Sequence, residues 1–525
     1  MSDQRAAAEF TRATVIQVIG TAFSRVSGFG RVFALAYAIG FTRLADAYNI
    51  GNVTPNIVYE LVLGGVLSAT LVPVFVERLE TDEDPWRAVS AVVTFALTVA
   101  IGVSALLLVA APGIIRLYTV FNTSGSAAGE NAVASQLLRF FAPQVFFYSA
   151  ITVSTALLLA RRRFANPKFS PIANNVVVIA VLMAFPHVVK NVSLEGVRAN
   201  AGALALLGLG TTAGVAVQAF IQAPGFRKVR WVWDPRHPAV QAVRRLSFWT
   251  FGVVVANQVA LYVALALANK RPGGVSVYLA AYMFFTLPHG VIAVSVMDSL
   301  LPELAARWTH GELAHFRQRI GRGLSTIAVL IVPAAAGYIV LARPIVRLTL
   351  EYGALHSTSA AQTAGTLAMF AIGLPGFSAY LLLMRGFQAT QDTRSMFRLY
   401  VVENAINILL ALVLHPRFGV QGLALSFALA YTVTAALAWR RLGVVTEGLP
   451  LADVADRLRR VLIATAVMTV AVLGVSLILR GESNVVQLAR VVAGVTVGVT
   501  VYLLVARALR VEELTALLAL RRRNR

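Results

Sequence analysis

Cysteine is absent from the chain, so disulfide frameworks, thiolate metal sites, iron–sulfur clusters and cysteine nucleophiles are all excluded. Charge is scarce as well. Asp, Glu, Lys and Arg make up 13% of the residues, about half the 25% usual in soluble domains. Acidic residues are the scarcer sign, 24 against 46 basic. The seven histidines (His187, His237, His289, His310, His315, His356, His415) are scattered, and no His-Glu-x-x-His pair occurs among them. There is no Walker A loop and no Gly-x-Ser-x-Gly elbow. The run Gly208-Leu209-Gly210-Thr211-Thr212-Ala213-Gly214 misses the dinucleotide-binding spacing and lies in an apolar stretch. Small-residue helix packing is its expected role. No metal, cofactor or enzymatic chemistry is expected.

What the chain does contain is apolar sequence. Of its 525 residues 58% are hydrophobic, and the mean hydropathy is +0.73. Apolar segments of about 20 residues, enough to cross a bilayer, recur near 13–40, 47–76, 87–111, 133–160, 169–187, 201–222, 243–268, 275–302, 319–342, 360–386, 397–415, 418–439, 460–479 and 486–507. The first lacks a small-residue cleavage site and reads as a retained helix. Lipid forces backbone polar groups to be satisfied within each segment, and the alternation of a membrane barrel is missing. The expected fold is therefore an all-α polytopic membrane protein with fourteen helices.

The excess of cations marks orientation. With both termini placed in the cytoplasm, the tails and the loops on that side hold 32 of the 46 Lys and Arg, and the opposite loops hold 11. Three (Arg25, Arg31 and Arg139) lie well inside segments, away from their ends. All six tryptophans (Trp86, Trp231, Trp233, Trp249, Trp308, Trp439) lie in or beside the inner loops. This pattern explains the net charge of +22 without nucleic acid. The segment from Val511 to Arg525 reads as a basic amphipathic helix at the inner surface, drawn to anionic lipid.

The sequence also repeats. Leu138, Phe141 and Asn175 recur as Leu367, Phe370 and Asn404, each 229 residues later, and Pro73 recurs as Pro302 at the same offset. Six helices per repeat gives two halves of like orientation, a known transporter design. The expected organisation is an N-terminal lobe over 1–225, a C-terminal lobe over 226–442, and a last part over 443–525 holding two further helices and the basic tail.

Arginine at a bilayer centre costs roughly 2.5–3.5 kcal/mol on insertion scales, yet the first segment contains two, in Ser24-Arg25-Val26-Ser27-Gly28-Phe29-Gly30-Arg31. Arg25 and Arg31 flank Gly28 and lie about 120° apart around the helix axis. Ser24, Ser27 and Gly28 leave room for two planar guanidinium forks, a geometry suited to phosphate. The competing reading pairs these arginines with Asp46, Glu60 or helix carbonyls. Asp46 opens the second segment, where a carboxylate suits the helix dipole. Asn56, Pro55 and Glu60 make that segment polar and kinked.

Ser24-Arg25-x-x-Gly28-Phe29-x-Arg31, Asp46-Ala47-Tyr48, Pro55-Asn56 and Gly64-x-x-x-Ser68-x-x-x-Val72-Pro73 together resemble the MurJ/MviN family. Gly386-Phe387-Gln388-Ala389-Thr390-Gln391-Asp392-Thr393-Arg394 does so too. The family belongs to the multidrug/oligosaccharidyl-lipid/polysaccharide exporter superfamily, and its layout is two six-helix lobes plus two helices. The resemblance implies a flippase, not an enzyme, acting in peptidoglycan biosynthesis and resident in the bacterial cytoplasmic membrane. Its substrate would be lipid II, the undecaprenyl-pyrophosphate-linked precursor, with membrane lipids and cell-wall synthesis proteins as further partners. In family terms a cationic cavity takes the head group, and a groove by the last two helices takes the polyprenyl tail. Arg25, Arg31 and Asp46 match family positions directly, and Ser24, Asn56 and Glu60 complete the expected substrate-binding set.

Two departures make the site less cationic than the family pattern. Tyr59-Glu60 stands where an arginine often follows the Pro-Asn, and Ala281 to Pro288 lacks another before its proline. Asp298 and Glu403 are the candidates for proton or ion coupling, since intramembrane carboxylates are functional by default. Three other functions compete: export of a different lipid-linked oligosaccharide, drug/cation antiport, and a non-transporting scaffold for envelope assembly.

Overall fold

The computed structural model describes residues 2–81, 84–246, 248–511 and 513, apart from the side chains of 2–19, 22, 63–70, 81 and 244–250. The described residues are helical almost throughout and contain no strand. In chain order the helices are α1 (Ser2–Ile39), α2 (Arg43–Tyr59), α3 (Gly65–Thr81), α4 (Pro85–Tyr118), α5 (Ala127–Phe141), α6 (Gln144–Ala160), α7 (Ala165–Val188), α8 (Leu194–Arg198), α9 (Ala201–Gln222) and α10 (Pro238–Leu246). They continue as α11 (Phe248–Ala268), α12 (Gly274–Pro288), α13 (Val294–Thr309), α14 (Leu313–Leu350), α15 (Ser357–Ala389), α16 (Thr393–Phe418), α17 (Val420–Val445), α18 (Leu451–Ile478) and α19 (Asn484–Ala508).

Among the described residues twelve helical runs are long and apolar enough to cross a membrane: α4, α5 with α6, α7, α9, α11, α12 with α13, and α14 to α19. Ahead of them stand α1 and the run from α2 to α3, both of which contain undescribed residues. The twelve are compatible with the fourteen expected. The basic tail from Val511 lies outside the described residues, Val511 and Glu513 excepted.

Helix ends are closed by short polar side chains, as their spare amides require. Asp84, Ser193, Asn200, Asp392 and Ser483 each accept a hydrogen bond from an amide three residues on. Glycine sets the closest helix crossings. A Cβ on Gly208 would lie 2.6 Å from Phe140, and one on Gly210 2.8 Å from Val181. Residues 208–214 are thus a packing surface between α5 and α7. A Cβ on Gly373 would meet the Ala428 backbone at 2.4 Å, which fixes how α15 crosses α17.

Contacts divide the chain into two compact units, Met1–Ser276 with Tyr352–Leu355, and Val277–Glu351 with His356–Arg525. In the first unit α1 lies on α7, α2 on α5, and α9 against α5, α6 and α7. In the second, α15 is flanked by α14 and α17, α16 lies on α17, and α18 and α19 pack on each other and on α14.

The 229-residue repeat has a physical counterpart. Leu138 and Leu367 are both fully buried, as are Phe141 and Phe370. Each half also contains one π-turn, Glu60–Gly64 joining α2 to α3 and His289–Ala293 joining α12 to α13. The two π-turns fall at the same 229-residue offset. A π-turn is an α-helix carrying one extra residue, a feature concentrated at functional sites. The break expected around Pro55 thus falls one turn later. Pro55 itself sits inside α2 without interrupting it.

Candidate functional site

In the first unit the arginine-bearing stretch of α1 packs along α7. Ser27 Oγ donates to the Ser24 carbonyl at 3.0 Å and receives the Asn175 amide at 2.9 Å. Gly30 meets the tip of Ile179, where a Cβ would lie at 3.2 Å. Arg25 and Arg31 are both partly exposed, and among the described residues neither forms an ion pair. Arg31 acts electrostatically on Tyr148. The Tyr148 hydroxyl donates to Gln144 at 3.2 Å, and Gln144 donates to Thr212 at 3.1 Å. A polar track therefore leads from Tyr148 along α6 into α9. Tyr59 makes a short hydrogen bond to Thr152 and packs its ring 5.8 Å from that of Tyr148.

Asp46 is placed differently from either sequence reading. It is completely buried and pairs with neither arginine. One carboxylate oxygen accepts the Gly273 amide at 2.6 Å, and the other accepts the amide and hydroxyl of Ser276 at 3.0 and 2.9 Å. Asn49 donates to the same Ser276 hydroxyl at 2.9 Å. Asp46 thus caps the first turn of α12 rather than its own helix, satisfying amides that would otherwise be spare. The turn before α12 admits only glycine: Gly273 has φ +77°, and a Cβ there would lie 2.2 Å from the Phe41 carbonyl oxygen.

One turn away is a cluster that sequence reasoning missed. Arg43 is buried, donates to the Asn269 carbonyl at 2.6 Å and to Asn122 at 3.3 Å, and pairs with Glu130 at 3.3 Å. Asn122 in turn donates to Glu130 at 2.7 Å. Arg43 stands between two apolar segments and reads as an ordinary loop cation. Its hydrogen-bond partners, the Lys270 carbonyl included, are 79, 226 and 227 residues away, so no local pattern announces them.

The remaining expected residues are dispersed. Asn56 is exposed, Ser24 partly exposed, and Glu60 half-buried as the first residue of its π-turn. In the second unit Asp298 is exposed and pairs with Arg385 at 3.3 Å. Glu403 is buried to 1% exposure, with neither carboxylate oxygen hydrogen-bonded among the described residues. Tyr278, Tyr282, Tyr380, Tyr400 and Tyr431 are within its electrostatic reach. His289, which opens the second π-turn, meets Ser378 Oγ at 3.0 Å and packs on Phe377. An apolar cavity of about 420 Å³ lies in the same unit, lined by Pro333, Tyr338, Met468, Gly494, Gly498 and Tyr502 among others.

These features define a polytopic helical membrane protein, and its fold is shared with solved transporters of the multidrug/oligosaccharidyl-lipid/polysaccharide exporter superfamily. A solved multidrug-resistance transporter of that superfamily, in an inward-facing conformation, superposes with a TM-score of 0.68 at 12% identity, covering 80% of this chain and 94% of its own. A lipid II flippase MurJ structure in an inward closed conformation superposes better, with a TM-score of 0.78 at 22% identity over 94% of this chain and 99% of its own. The sequence profile of the lipid II flippase MurJ family matches residues 35–494. The chain belongs to that family. Its relatives include the probable lipid II flippase MurJ of Rhizobium meliloti, 28% identical over 85% of this chain and 83% of the relative. The probable flippase of Thermotoga maritima is 25% identical over 97% and 98%, and the MurJ of Burkholderia cenocepacia 26% over 77% and 78%.

Proposed function

We propose that this protein carries lipid II across the cytoplasmic membrane, from inner to outer leaflet, by alternating access of its two halves. Membership of the lipid II flippase family supports the substrate. The observation that carries the site is the pair Arg25 and Arg31, two intramembrane cations without a carboxylate partner among the described residues. They bind the pyrophosphate, with Ser24, Asn56 and Glu60 around the head group. Asp46 acts indirectly, by holding the start of α12 in register. Lobes 1–225 and 226–442 are the moving repeats. The π-turns at Glu60 and His289 are the points where their helices bend. The apolar cavity between α14 and the final pair α18 and α19, which belong to the part from 443 to 525, takes a stretch of the polyprenyl tail.

No nucleotide motif supplies the driving force, and the membrane potential suffices in sign. Moving one charge through 100 mV is worth about 2.3 kcal/mol, so an anionic head group passes outward downhill when the inside is negative. Glu403 is the stronger coupling candidate. A buried carboxyl with no hydrogen-bond partner is stable in an apolar core only when neutral or cation-bound. Asp298, exposed and paired with Arg385, is the weaker one. Both termini lie in the cytoplasm, as the cation distribution requires, and cell-wall synthesis proteins consume the product on the outer side.

The test is surface labelling of lipid II in cells depleted of this protein. Loss of externally accessible lipid II, restored by re-expression, supports the reading. Undiminished labelling would favour transport of another lipid-linked oligosaccharide or a scaffolding role.

A further inference from the structure

Three separated pieces of the first unit meet around Trp86. The Arg161 guanidinium lies over its ring at 4.4 Å and the Lys228 ammonium at 5.4 Å. Arg161 is held there by a hydrogen bond to the Gly225 carbonyl at 3.1 Å. From Arg227 the chain runs without helix along the start of α4. The Arg230 amide is pinned to Ser90 Oγ at 3.0 Å and the Val232 amide to Thr94 Oγ1 at 3.1 Å. Ser90 and Thr94 are one helical turn apart, so the strap follows the helix axis. Trp233 stacks on Phe95 with ring centroids 6.3 Å apart, yet stays 55% exposed, and Trp231 is 67% exposed.

This surface is cationic and bare. Arg162, Arg163, Arg227, Lys228 and Arg230 are exposed, and with Arg161 they form no ion pair with any described carboxylate. The nearby acids are engaged locally: Asp84 caps α4, and Asp234 accepts the Arg236 amide. Cations gathered on an exposed surface without carboxylate partners favour an anion from outside. The location specifies which. The surface sits where α6 and α9 end and α4 begins, the level of the bilayer interface. Exposed indole rings are at home there, with an apolar body and one polar edge.

We propose that the Trp86 cluster and the 227–233 strap form a binding surface for the headgroups of anionic glycerophospholipids in the adjoining leaflet. The tryptophans lie at the glycerol level, and Arg227, Lys228 and Arg230 contact the phosphates. Each cation near an anionic membrane surface is worth roughly fivefold in affinity, so the three strap cations together dominate headgroup selectivity. The surface acts on bulk lipid and is separate from the Arg25–Arg31 site.

The experiment titrates the purified full-length protein in neutral detergent with phosphatidylglycerol, phosphatidylcholine or inorganic pyrophosphate. Lipid retention is followed by native mass spectrometry, and the melting temperature is recorded in parallel. The parent should retain phosphatidylglycerol over phosphatidylcholine. Arg227→Gln/Lys228→Gln/Arg230→Gln should lower that preference at least tenfold while changing the lipid-free melting temperature little, since all three side chains are exposed and only Lys228 touches a ring, that of Trp86. Trp231→Ala/Trp233→Ala should weaken phosphatidylglycerol severalfold without altering pyrophosphate. A control on another loop, Lys190→Gln/Arg198→Gln, should change nothing. An undiminished preference in the triple variant overturns the proposal. Full displacement of phosphatidylglycerol by pyrophosphate also overturns it, by showing an unspecific anion patch.

Discussion

The Asp46 carboxylate accepts both the backbone amide and the hydroxyl of Ser276, at 3.0 and 2.9 Å, across 230 residues of sequence. Its other oxygen takes the Gly273 amide, so Asp46 closes the first turn of α12 from outside. A buried donor left without a partner costs about 1–3 kcal/mol. Asp46→Ala orphans two amides and should lower stability by about 2–4 kcal/mol. Ser276→Ala removes only the hydroxyl contact and should cost about 1 kcal/mol. Thermal unfolding in detergent measures both.

The Arg43–Glu130 pair predicts an asymmetry. Breaking a buried pair from one side costs about 3–5 kcal/mol, because the remaining charge is stranded. Arg43→Ala should therefore destabilise strongly at unchanged Arg25 and Arg31. Arg43→Met with Glu130→Leu should recover much of that loss, since neither member of the pair is left stranded. A double variant as unstable as the single one would show that the arginine's hydrogen bonds to the Asn269 and Lys270 carbonyls dominate instead.

The two π-turns give a test of motion. Val62 and Val291 occupy equivalent places in them, and both are exposed. Deleting either residue removes the inserted position and restores α-helical register. The expected outcome is a protein that folds with an unchanged or higher melting temperature but transports poorly. Full transport by both deletions would show that the turns are not bending points.

Asp392 lies outside the spans and caps α16 through the Ser395 amide at 3.0 Å. Partial burial opposes its charge, but the Ser395 hydroxyl and amide, with Arg441 and Arg398, outweigh that and hold the carboxyl below its usual range. A depressed value means that the capping contribution is complete above the ordinary carboxylate value of about 4 and fades as the pH falls through the lower folded value. Asp392→Ala should cost about 1 kcal/mol at neutral pH. The gap from the parent should close progressively below about pH 4, as melting curves across pH will show.

Much of this protein is legible in its sequence because lipid leaves a chain few options. Arg25 and Arg31 stand out because an arginine inside an apolar run is costly, and that cost needs no partner to be noticed. Glu403 stands out for the same reason. Asp46 is visible as an unusual carboxylate, but its task is set by Gly273 and Ser276, which no local pattern connects to it. Arg43 and Glu130 flank apolar segments, where charge is ordinary, and only folding buries them. The π-turns leave no composition signal. The 229-residue offset alone aligns Glu60 with His289 and could have paired them. Pro143 marks a break between α5 and α6 that the hydropathy of a single long segment hides.

The central claim is that Arg25 and Arg31 bind the pyrophosphate of a lipid-linked precursor. Complementation of a flippase-depleted strain by Arg25→Ala and Arg31→Ala variants, at matched expression and with lipid II accessibility read in parallel, tests it most directly. The account predicts that each variant fails to support growth and leaves lipid II inaccessible from outside, with Lys replacements restoring only part of the activity because they lack the bidentate fork. Growth and labelling equal to the parent in both alanine variants would contradict it.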